Sequence, residues 1–134
     1  MNEPLFNHAT YSQYLSQCRL MGSRCVNDGV VYLPPRSMCT NDFSRDMEWG
    51  ELSGRGKLAA FSIIYIGPEH MIQAGFNRED PYCAAIIELE EGPKISAQLM
   101  DVDVLRPETI RIGMPVQAAY IHRGEETVLA FRPA

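Results

Sequence analysis

The chain has 134 residues, of which 46% are hydrophobic and 22% are charged, and its formal net charge is −5. This length suits one modest domain, or a small appendage joined to one domain, and the negative charge disfavours a nucleic-acid-binding protein, which normally carries a basic face. No apolar run approaches the ~18 residues of a membrane span. Residues 1–4 show no basic region followed by an apolar core, so we expect no signal peptide, a cytoplasmic location and reduced cysteines.

A helix is predicted over residues 10–21. Its aromatic and apolar residues recur at helical spacing: Tyr11, Tyr14, Leu15 and Cys18. Thr10 or Ser12 can cap the helix, and Gly22 is expected to end it. An aromatic amphipathic helix near a terminus either packs back on its own domain or docks on a partner, and the sequence leaves both alternatives open.

The next segment contains a spaced pair of cysteines and aspartates. Cys25 and Cys39 each precede an aspartate by three positions, Asp28 and Asp42, and ten residues separate the two units. With cysteine at all four positions, this spacing would be that of a zinc ribbon, in which two tight turns bind one ion. Carboxylates can bind zinc, but structural zinc sites use mostly sulfur and imidazole. The sequence therefore favours a degenerate, ion-free ribbon, in which each aspartate bonds the amides of its own turn, over zinc held by the four residues.

The rest of the chain has the composition of strands separated by turns. Strands are predicted over residues 30–33, 47–52, 57–66, 82–89, 94–102, 116–121 and 127–131, the last two joined around Gly124. A loop is predicted over 67–81 and one helical turn over 106–110. The strand over 30–33 belongs to the ribbon segment, and the five or six strands from residue 47 onward, with one short helix, suit a small Greek-key barrel of the OB type. We therefore predict a mainly β protein, with an N-terminal helix and degenerate ribbon in residues 1–45 and an OB-fold domain in 46–134.

Several short motifs follow one another in a fixed order from about residue 15 to 133. They are Arg24-Cys25, Gly29, Tyr32-Leu33-Pro34-Pro35-Arg36, Cys39, Leu52-Ser53-Gly54-Arg55-Gly56, Pro81-Tyr82, Glu88-Leu89-Glu90-Glu91-Gly92-Pro93, Met100-Asp101-Val102-Asp103, Ile112-Gly113-Met114-Pro115-Val116 and Phe131-Arg132-Pro133. The ordered set resembles the acyl-CoA-associated OB-fold family with an N-terminal rubredoxin-like zinc ribbon, the thirty-fifth of the catalogued domains of unknown function.

The resemblance implies a small accessory subunit of a thiolase-superfamily enzyme, such as a thiolase, an HMG-CoA synthase or a lipid-transfer-protein-like thiolase or aldolase. Such a subunit docks on the enzyme and helps to enclose the CoA arm of the substrate, while the partner carries out the bond making. The chain departs from the family's pattern at Asp28 and Asp42, which occupy two of the four zinc-ligand positions.

Three cations are candidates for contact with the phosphates of a CoA ester at the subunit boundary. Arg55 and Lys57 lie in a glycine-containing stretch, residues 53–57, which lacks the strand-loop-helix context of a phosphate-binding loop and instead predicts a bulged entry into a strand. Arg36 follows two prolines in the ribbon segment.

The leading hypothesis is a non-catalytic subunit that forms a hetero-oligomer with a thiolase-like enzyme and shares the CoA ester with it. No catalytic residue is predicted, because the sequence pairs none of its three histidines with a cysteine. The alternative hypothesis is an OB-fold module that binds single-stranded nucleic acid, which the net charge of −5 disfavours.

Overall fold

The computed structural model describes residues 5–123 and 125–134. Within these residues it contains helices α1 (His8–Ser16) and α2 (Glu69–Gln73), a 3₁₀ helix (Pro107–Thr109) and eight strands. The strands are β1 (Met21–Cys25), β2 (Val31–Tyr32), β3 (Met47–Glu51), β4 (Arg55–Ile64), β5 (Tyr82–Leu89), β6 (Lys94–Leu99), β7 (Pro115–Arg123) and β8 (Glu126–Pro133). The expectation of no signal peptide at residues 1–4, and the predicted joint at Gly124, lie outside the described residues.

Five strands close into a barrel in the order β4-β5-β6-β8-β7, and β7 pairs with β4 to complete it. Neighbouring strands are antiparallel except β6 and β8, which run parallel. A small five-stranded Greek-key barrel is the OB architecture, so the predicted fold class is confirmed.

The alternation of side chains along β5 explains how the sequence fills the barrel. Cys83 and Ile87 are buried, whereas Ile86 and Glu88 point outward and are exposed, as the two-residue period of a strand requires. The buried cluster that includes these inward residues is completed from the other strands of the barrel by Leu58, Leu99, Val116, Leu129 and Phe131.

The remaining three strands form a second sheet in the order β2-β1-β3. Strand β1 is antiparallel to both neighbours, and its Ser23 lies opposite Tyr32 on one side and Trp49 on the other. The predicted strand over residues 47–52 is present as β3, but it pairs in this N-terminal sheet and not in the barrel. The division into residues 1–45 and 46–134 stays a prediction, and the pairing of β1 with β3 crosses it.

The N-terminal helix is shorter than predicted. It ends at Ser16, and residues 21–25 pair with β3 as a strand, so the expectation that the helix runs to Gly22 is wrong. A Cβ atom at Gly22 would lie 2.8 Å from the carbonyl oxygen of Tyr32. The glycine therefore permits β2 to approach β1 closely, which is a different role from ending a helix.

Helix α1 packs on its own chain. Its N-cap is Asn7, whose Oδ1 accepts from the amide of Thr10 at 3.0 Å, so the cap lies before the predicted helix and not within it. Leu15 belongs to the buried cluster of the barrel, and the ring of Tyr14 meets the ring of Trp49 edge-on at 5.1 Å between centroids. The sequence left open whether this helix packs on its own domain or docks on a partner, and the structure shows it packed on its own domain.

The predicted loop over residues 67–81 contains the short helix α2, which the sequence analysis missed because five residues are too few to show a helical period. Met71 of this helix is buried, and the ring of Phe76 packs edge-on against Tyr82 at 5.4 Å. The helical turn predicted over 106–110 is confirmed as the 3₁₀ helix. In the described part of the chain, no helix combines the length and the apolar character needed to cross a membrane.

Candidate functional site

The first of two knuckle turns follows β1 and is closed by its own hydrogen bonds. The amide of Gly29 donates to the carbonyl of Cys25 at 2.8 Å, and the amide of Cys25 donates to the carbonyl of Val30 at 2.9 Å. Oδ1 of Asp28 accepts from the amide of Val30 at 3.0 Å. Gly29 has φ +77°, a left-handed value that glycine adopts without a steric penalty.

The second knuckle turn repeats the same backbone plan. The amide of Phe43 donates to the carbonyl of Cys39 at 3.0 Å, and the amide of Cys39 donates to the carbonyl of Ser44 at 2.9 Å. Oδ1 of Asp42 accepts from the amide of Ser44 at 2.9 Å. Phe43 occupies the place of Gly29 and has φ +58°. Each aspartate thus bonds the amide two residues ahead in its own turn, which is the arrangement predicted for an ion-free ribbon.

The two turns are also bonded to each other through sulfur. Sγ of Cys39 donates to Oδ2 of Asp28 at 3.3 Å, and Sγ of Cys25 donates to Oδ2 of Asp42 at 4.0 Å. Both cysteines are fully buried. Each cysteine therefore reaches the aspartate of the opposite turn, so the four predicted residues are brought together in one cluster.

Two asparagines complete the bonds across the turns. Nδ2 of Asn41 donates to Oδ2 of Asp28 at 3.3 Å, and Nδ2 of Asn27 donates to Oδ2 of Asp42 at 3.4 Å. Each asparagine immediately precedes the aspartate of its own turn and reaches the aspartate of the other. The sequence analysis missed these residues, although Asn-Asp at the same place in both turns was a visible signal.

These contacts shift the ionisation of the cluster. The backbone amide of Val30 is the largest influence on Asp28 and lowers the pKa of that carboxyl to about 2. The backbone amide of Ser44 likewise holds the pKa of Asp42 below its usual range. For Cys25, the backbone amide of Asp28 lowers the pKa of the thiol, but burial and the neighbouring side chains outweigh it and the pKa is raised. At neutral pH the cluster therefore contains charged carboxylates and a protonated Cys25 thiol.

The cluster has the ligand atoms for a metal ion but fits structural zinc poorly. The two sulfurs and one oxygen of each aspartate lie within 4.8 Å of one another. Half of this donor set is carboxylate oxygen, whereas structural zinc sites are built from cysteine and histidine. Both carboxylates already accept hydrogen bonds from both turns. The zinc-ribbon part of the sequence interpretation accordingly stays a prediction.

Strand β2 and its neighbour support the second turn. The hydroxyl of Tyr32 lies 3.4 Å from Sγ of Cys39 and accepts from the amide of Thr40 at 3.1 Å. Ser23 of β1 is fully buried, and its Oγ accepts from the amide of Arg36 at 2.7 Å. The segment between the two turns is therefore fixed to the sheet through side chains of β1 and β2.

The structure brings together two of the three predicted cations. Arg55 and Lys57 line a depression of about 410 Å³ with Glu88 and Glu90, and Nε of Arg55 lies 3.4 Å from Oε2 of Glu90. Arg36 is exposed in the ribbon segment and does not line that depression. Acidic side chains thus accompany Arg55 and Lys57, whereas Arg36 stands apart from them.

The stretch over residues 53–57 leads into β4 as predicted, with one correction. Gly54 has φ +77°, a left-handed value that glycine adopts without a steric penalty. The irregularity in the pairing of β4 with β5 lies between Leu58 and Ala60, inside the strand and not at its entry. The predicted position of the bulge is therefore wrong by a few residues.

A groove of about 860 Å³ beside α2 was not predicted. In its wall, Nη2 of Arg123 donates to Oε1 of Gln98 at 3.1 Å, and Nη1 lies 3.7 Å from the sulfur of Met71. The guanidinium carbon is 6.0 Å from the centre of the Phe76 ring. Arg123 thus connects the end of β7 with β6 and with the segment that contains α2. No sequence motif marks the groove, because its walls come from distant segments.

The histidines and the remaining buried cysteine form no nucleophile-base pair. His8 contacts the hydroxyl of Ser12 at 3.3 Å, and His122 contacts the hydroxyl of Thr127 at 3.0 Å. Burial raises the pKa of Cys83 to about 11. Over residues 5–123 and 125–134, no hydrogen bond joins a histidine to a cysteine.

Known proteins resemble this chain in both sequence and fold. The family model described as "ChsH2, C-terminal OB-fold domain" matches residues 49–120. A DUF35 domain-containing scaffold protein of Methanocaldococcus jannaschii is 41% identical over 103 residues, which cover 75% of this chain and 67% of that protein.

Two further relatives are named as parts of acyl-CoA or aldolase enzymes. The benzoylsuccinyl-CoA thiolase subunit BbsA of Geobacter metallireducens is 38% identical over 88 residues, which cover 65% of this chain and 55% of that protein. A chain of the solved structure named "Ltp2-ChsH2(DUF35) aldolase" is 28% identical, covers 98% of both chains and has a TM-score of 0.79.

Proposed function

The chain belongs to the DUF35 OB-fold family, and from this membership we propose that it is a non-catalytic accessory subunit of a thiolase-superfamily acyl-CoA enzyme. The observation that carries the proposal is the fold similarity to the Ltp2-ChsH2(DUF35) aldolase chain over 98% of both chains. The scaffold and thiolase-subunit names of the other relatives support the same role. In this role the barrel docks on the enzyme, and the partner carries out the reaction.

The absence of catalysis by this chain alone is part of the proposal. A cysteine nucleophile needs a neighbouring base, and the thiol of Cys83 has a pKa of about 11 in its buried position. Cys25 and Cys39 are also fully buried, and their sulfurs donate to aspartates. The hydrogen bonds of His8 and His122 are made to hydroxyl groups. None of these groups is placed to attack an acyl-CoA.

The alternative role in binding single-stranded nucleic acid has less support. Such modules combine a basic groove with stacking aromatic residues. Four exposed arginines of this chain are each paired with a glutamate within 4 Å, which reduces the positive field they present: Arg19, Arg24, Arg55 and Arg106.

Arg36 is the strongest of the three proposed contacts to CoA. Its guanidinium carbon lies 5.8 Å from the centre of the Tyr32 ring, and no carboxylate of the described residues forms an ion pair with it. Arg55 is already paired with Glu90, and Lys57 shares its depression with Glu88. Arg36 is thus free to meet an anionic phosphate of a CoA ester held between the chain and its partner, with Arg55 and Lys57 as weaker candidates.

The Arg36→Ala variant is expected to raise the KM of the complex for its acyl-CoA by roughly two- to fivefold, because an exposed ion pair is worth up to about 1 kcal/mol. The kcat is expected to stay unchanged, since the partner holds the reacting groups. Steady-state kinetics of the complex reconstituted from purified subunits measure both constants.

Arg106→Ala is the matched control, because Arg106 is also an exposed arginine but lies beside the 3₁₀ helix. It is expected to leave the KM as in the parent complex. If the KM for Arg36→Ala is unchanged in a complex that still assembles, the proposal that Arg36 contacts the CoA ester is wrong.

Phe43 is the proposed contact of the ribbon with the enzyme. Its side chain is 73% exposed at the tip of the second turn, and its φ of +58° is unusual for a bulky residue. The first turn has glycine at the equivalent place, Gly29. Aromatic side chains, phenylalanine among them, are enriched at protein–protein interfaces, which supports this assignment. The Phe43→Asn variant keeps a residue that tolerates positive φ, so it is expected to fold and to retain less of the partner.

A further inference from the structure

We propose that a hydrogen-bonded thiol–carboxylate clasp, formed by Cys25, Asp28, Cys39 and Asp42, replaces the zinc ion of the ribbon, so that the chain folds fully without metal. The name clasp refers to these four residues. This inference does not depend on the proposed role as an accessory subunit, because it concerns only what holds the two turns together.

The first argument is that the two carboxylate oxygens of each aspartate accept hydrogen bonds from different turns. Oδ1 of Asp28 and of Asp42 accepts from a backbone amide of its own turn, at 3.0 and 2.9 Å. Oδ2 of each accepts from the cysteine sulfur of the opposite turn, at 3.3 and 4.0 Å. A zinc ion takes cysteine as thiolate, so it would remove the two S–H donors on which these contacts depend. The clasp therefore needs Cys25 and Cys39 as thiols, whereas zinc binding would need them as thiolates.

The second argument is that asparagine accompanies aspartate in both turns. The units are Cys-Val-Asn-Asp and Cys-Thr-Asn-Asp. Asn41 and Asn27 donate to Oδ2 of Asp28 and Asp42 at 3.3 and 3.4 Å. An amide N–H cannot bind a cation, but it can supply a donor to a carboxylate that carries no metal. The Asn-Asp pair stands at the same place in both turns, so the same set of hydrogen bonds to a metal-free carboxylate is formed twice.

The third argument is that the turns have a small apolar core of their own. Cys25, Cys39 and Met47 form a buried cluster, against which Phe6 and Tyr32 pack. A protonated cysteine in such a place behaves as a small hydrophobic residue. Burial of these side chains adds to the hydrogen bonds and supplies stabilisation that a zinc ion provides in a four-cysteine ribbon.

The test compares metal content and thermal stability in the full chain. The protein is purified without chelator from cells grown with added zinc, the zinc is measured by mass spectrometry, and the Tm is recorded with and without EDTA. We expect zinc far below one ion per chain and the same Tm in both conditions. The double variant Asp28→Cys with Asp42→Cys is expected to bind about one zinc ion per chain and to lose Tm when EDTA is added.

A single substitution tests the hydrogen bonds themselves. Asp28→Asn is expected to lower the Tm, since the charged acceptor of the Cys39 and Asn41 contacts is lost. Asp46→Asn is the matched control, because the Asp46 side chain makes no hydrogen bond or ion pair with the described residues. One zinc ion per parent chain with an EDTA-sensitive Tm would overturn the proposal. An equal Tm for the two asparagine variants would overturn it as well, and the parent measurement decides even if the double variant fails to fold.

Discussion

Replacement of Phe131 by alanine is expected to lower the free energy of unfolding by about 3–5 kcal/mol, the loss typical of truncating a large core side chain. Phe131 has no exposed surface and is the largest fully buried side chain among the described residues. It lies on β8, where it is opposite Leu99 of β6 and Ala118 of β7. The truncation therefore leaves a cavity inside the barrel, where β8 lies between β6 and β7. Urea unfolding followed by circular dichroism measures the change.

Phe43→Ala is the matched control for this truncation. The same side chain is removed, but Phe43 is 73% exposed and lies outside the barrel. Its truncation is expected to change the free energy of unfolding by no more than about 0.5 kcal/mol. Equal losses in the two variants would mean that the barrel core is not centred on Phe131.

Replacement of Gly56 by alanine is expected to destabilise the chain by roughly 1–3 kcal/mol, the range found when atoms are added to a well-packed place. A Cβ at Gly56 would lie 2.5 Å from the carbonyl oxygen of Glu88 and 3.0 Å from Cγ2 of Ile87. Gly56 pairs with Leu89 of β5 and with Val116 of β7, so β4 cannot move away from one neighbour without disturbing the other. Thermal and urea unfolding measure the loss.

Gly50→Ala is the control for the glycine substitution. Gly50 is also in a strand, but a Cβ there would meet no atom within 4 Å. The substitution is expected to be neutral or to stabilise the chain by up to about 1 kcal/mol, since alanine restricts the unfolded chain more than glycine. If Gly56→Ala proved as harmless as Gly50→Ala, the close approach of β4 and β5 at this point would be refuted.

The barrel could be predicted because its strands carry local signals. Residues 82–89 alternate inward and outward positions and end at a Glu-Glu-Gly-Pro turn, so their predicted bounds match β5. The parallel pair of β6 with β8 involves only two matched positions, Gln98 with Ala130 and Leu99 with Phe131. No local signal marks such a pair, and the predicted topology depended on strand number and order.

The N-terminal sheet was harder to predict because its pairing is not local. The helix was predicted to run to residue 21, but it ends at Ser16, and residues 21–25 form β1, which pairs with residues 47–51 of β3. At residue 21 this tertiary pairing overrides the local helical pattern. Because of the same pairing, the strand predicted over 47–52 belongs to the N-terminal sheet and not to the barrel.

The residues of the candidate site could be predicted from the sequence, but the hydrogen bonds between its two turns could not. Cysteine and aspartate at ribbon spacing identified the four residues of the clasp and the bonds of each aspartate to its own turn. The crossed contacts from Cys39 to Asp28 and from Cys25 to Asp42 depend on how the two turns face each other, which only the folded chain specifies. The groove beside Arg123 has walls from distant strands and was missed for the same reason.

The central claim is that this chain works as a subunit of a thiolase-superfamily enzyme. Its most direct test is affinity purification of the tagged chain from its own cells, with mass spectrometry of the co-eluting proteins and their stoichiometry. We expect a thiolase-superfamily protein in a fixed ratio to the chain, and less of it with Phe43→Asn than with Leu105→Asn, an equally exposed position outside the ribbon. Elution of the chain as a folded monomer without any such protein would contradict the account.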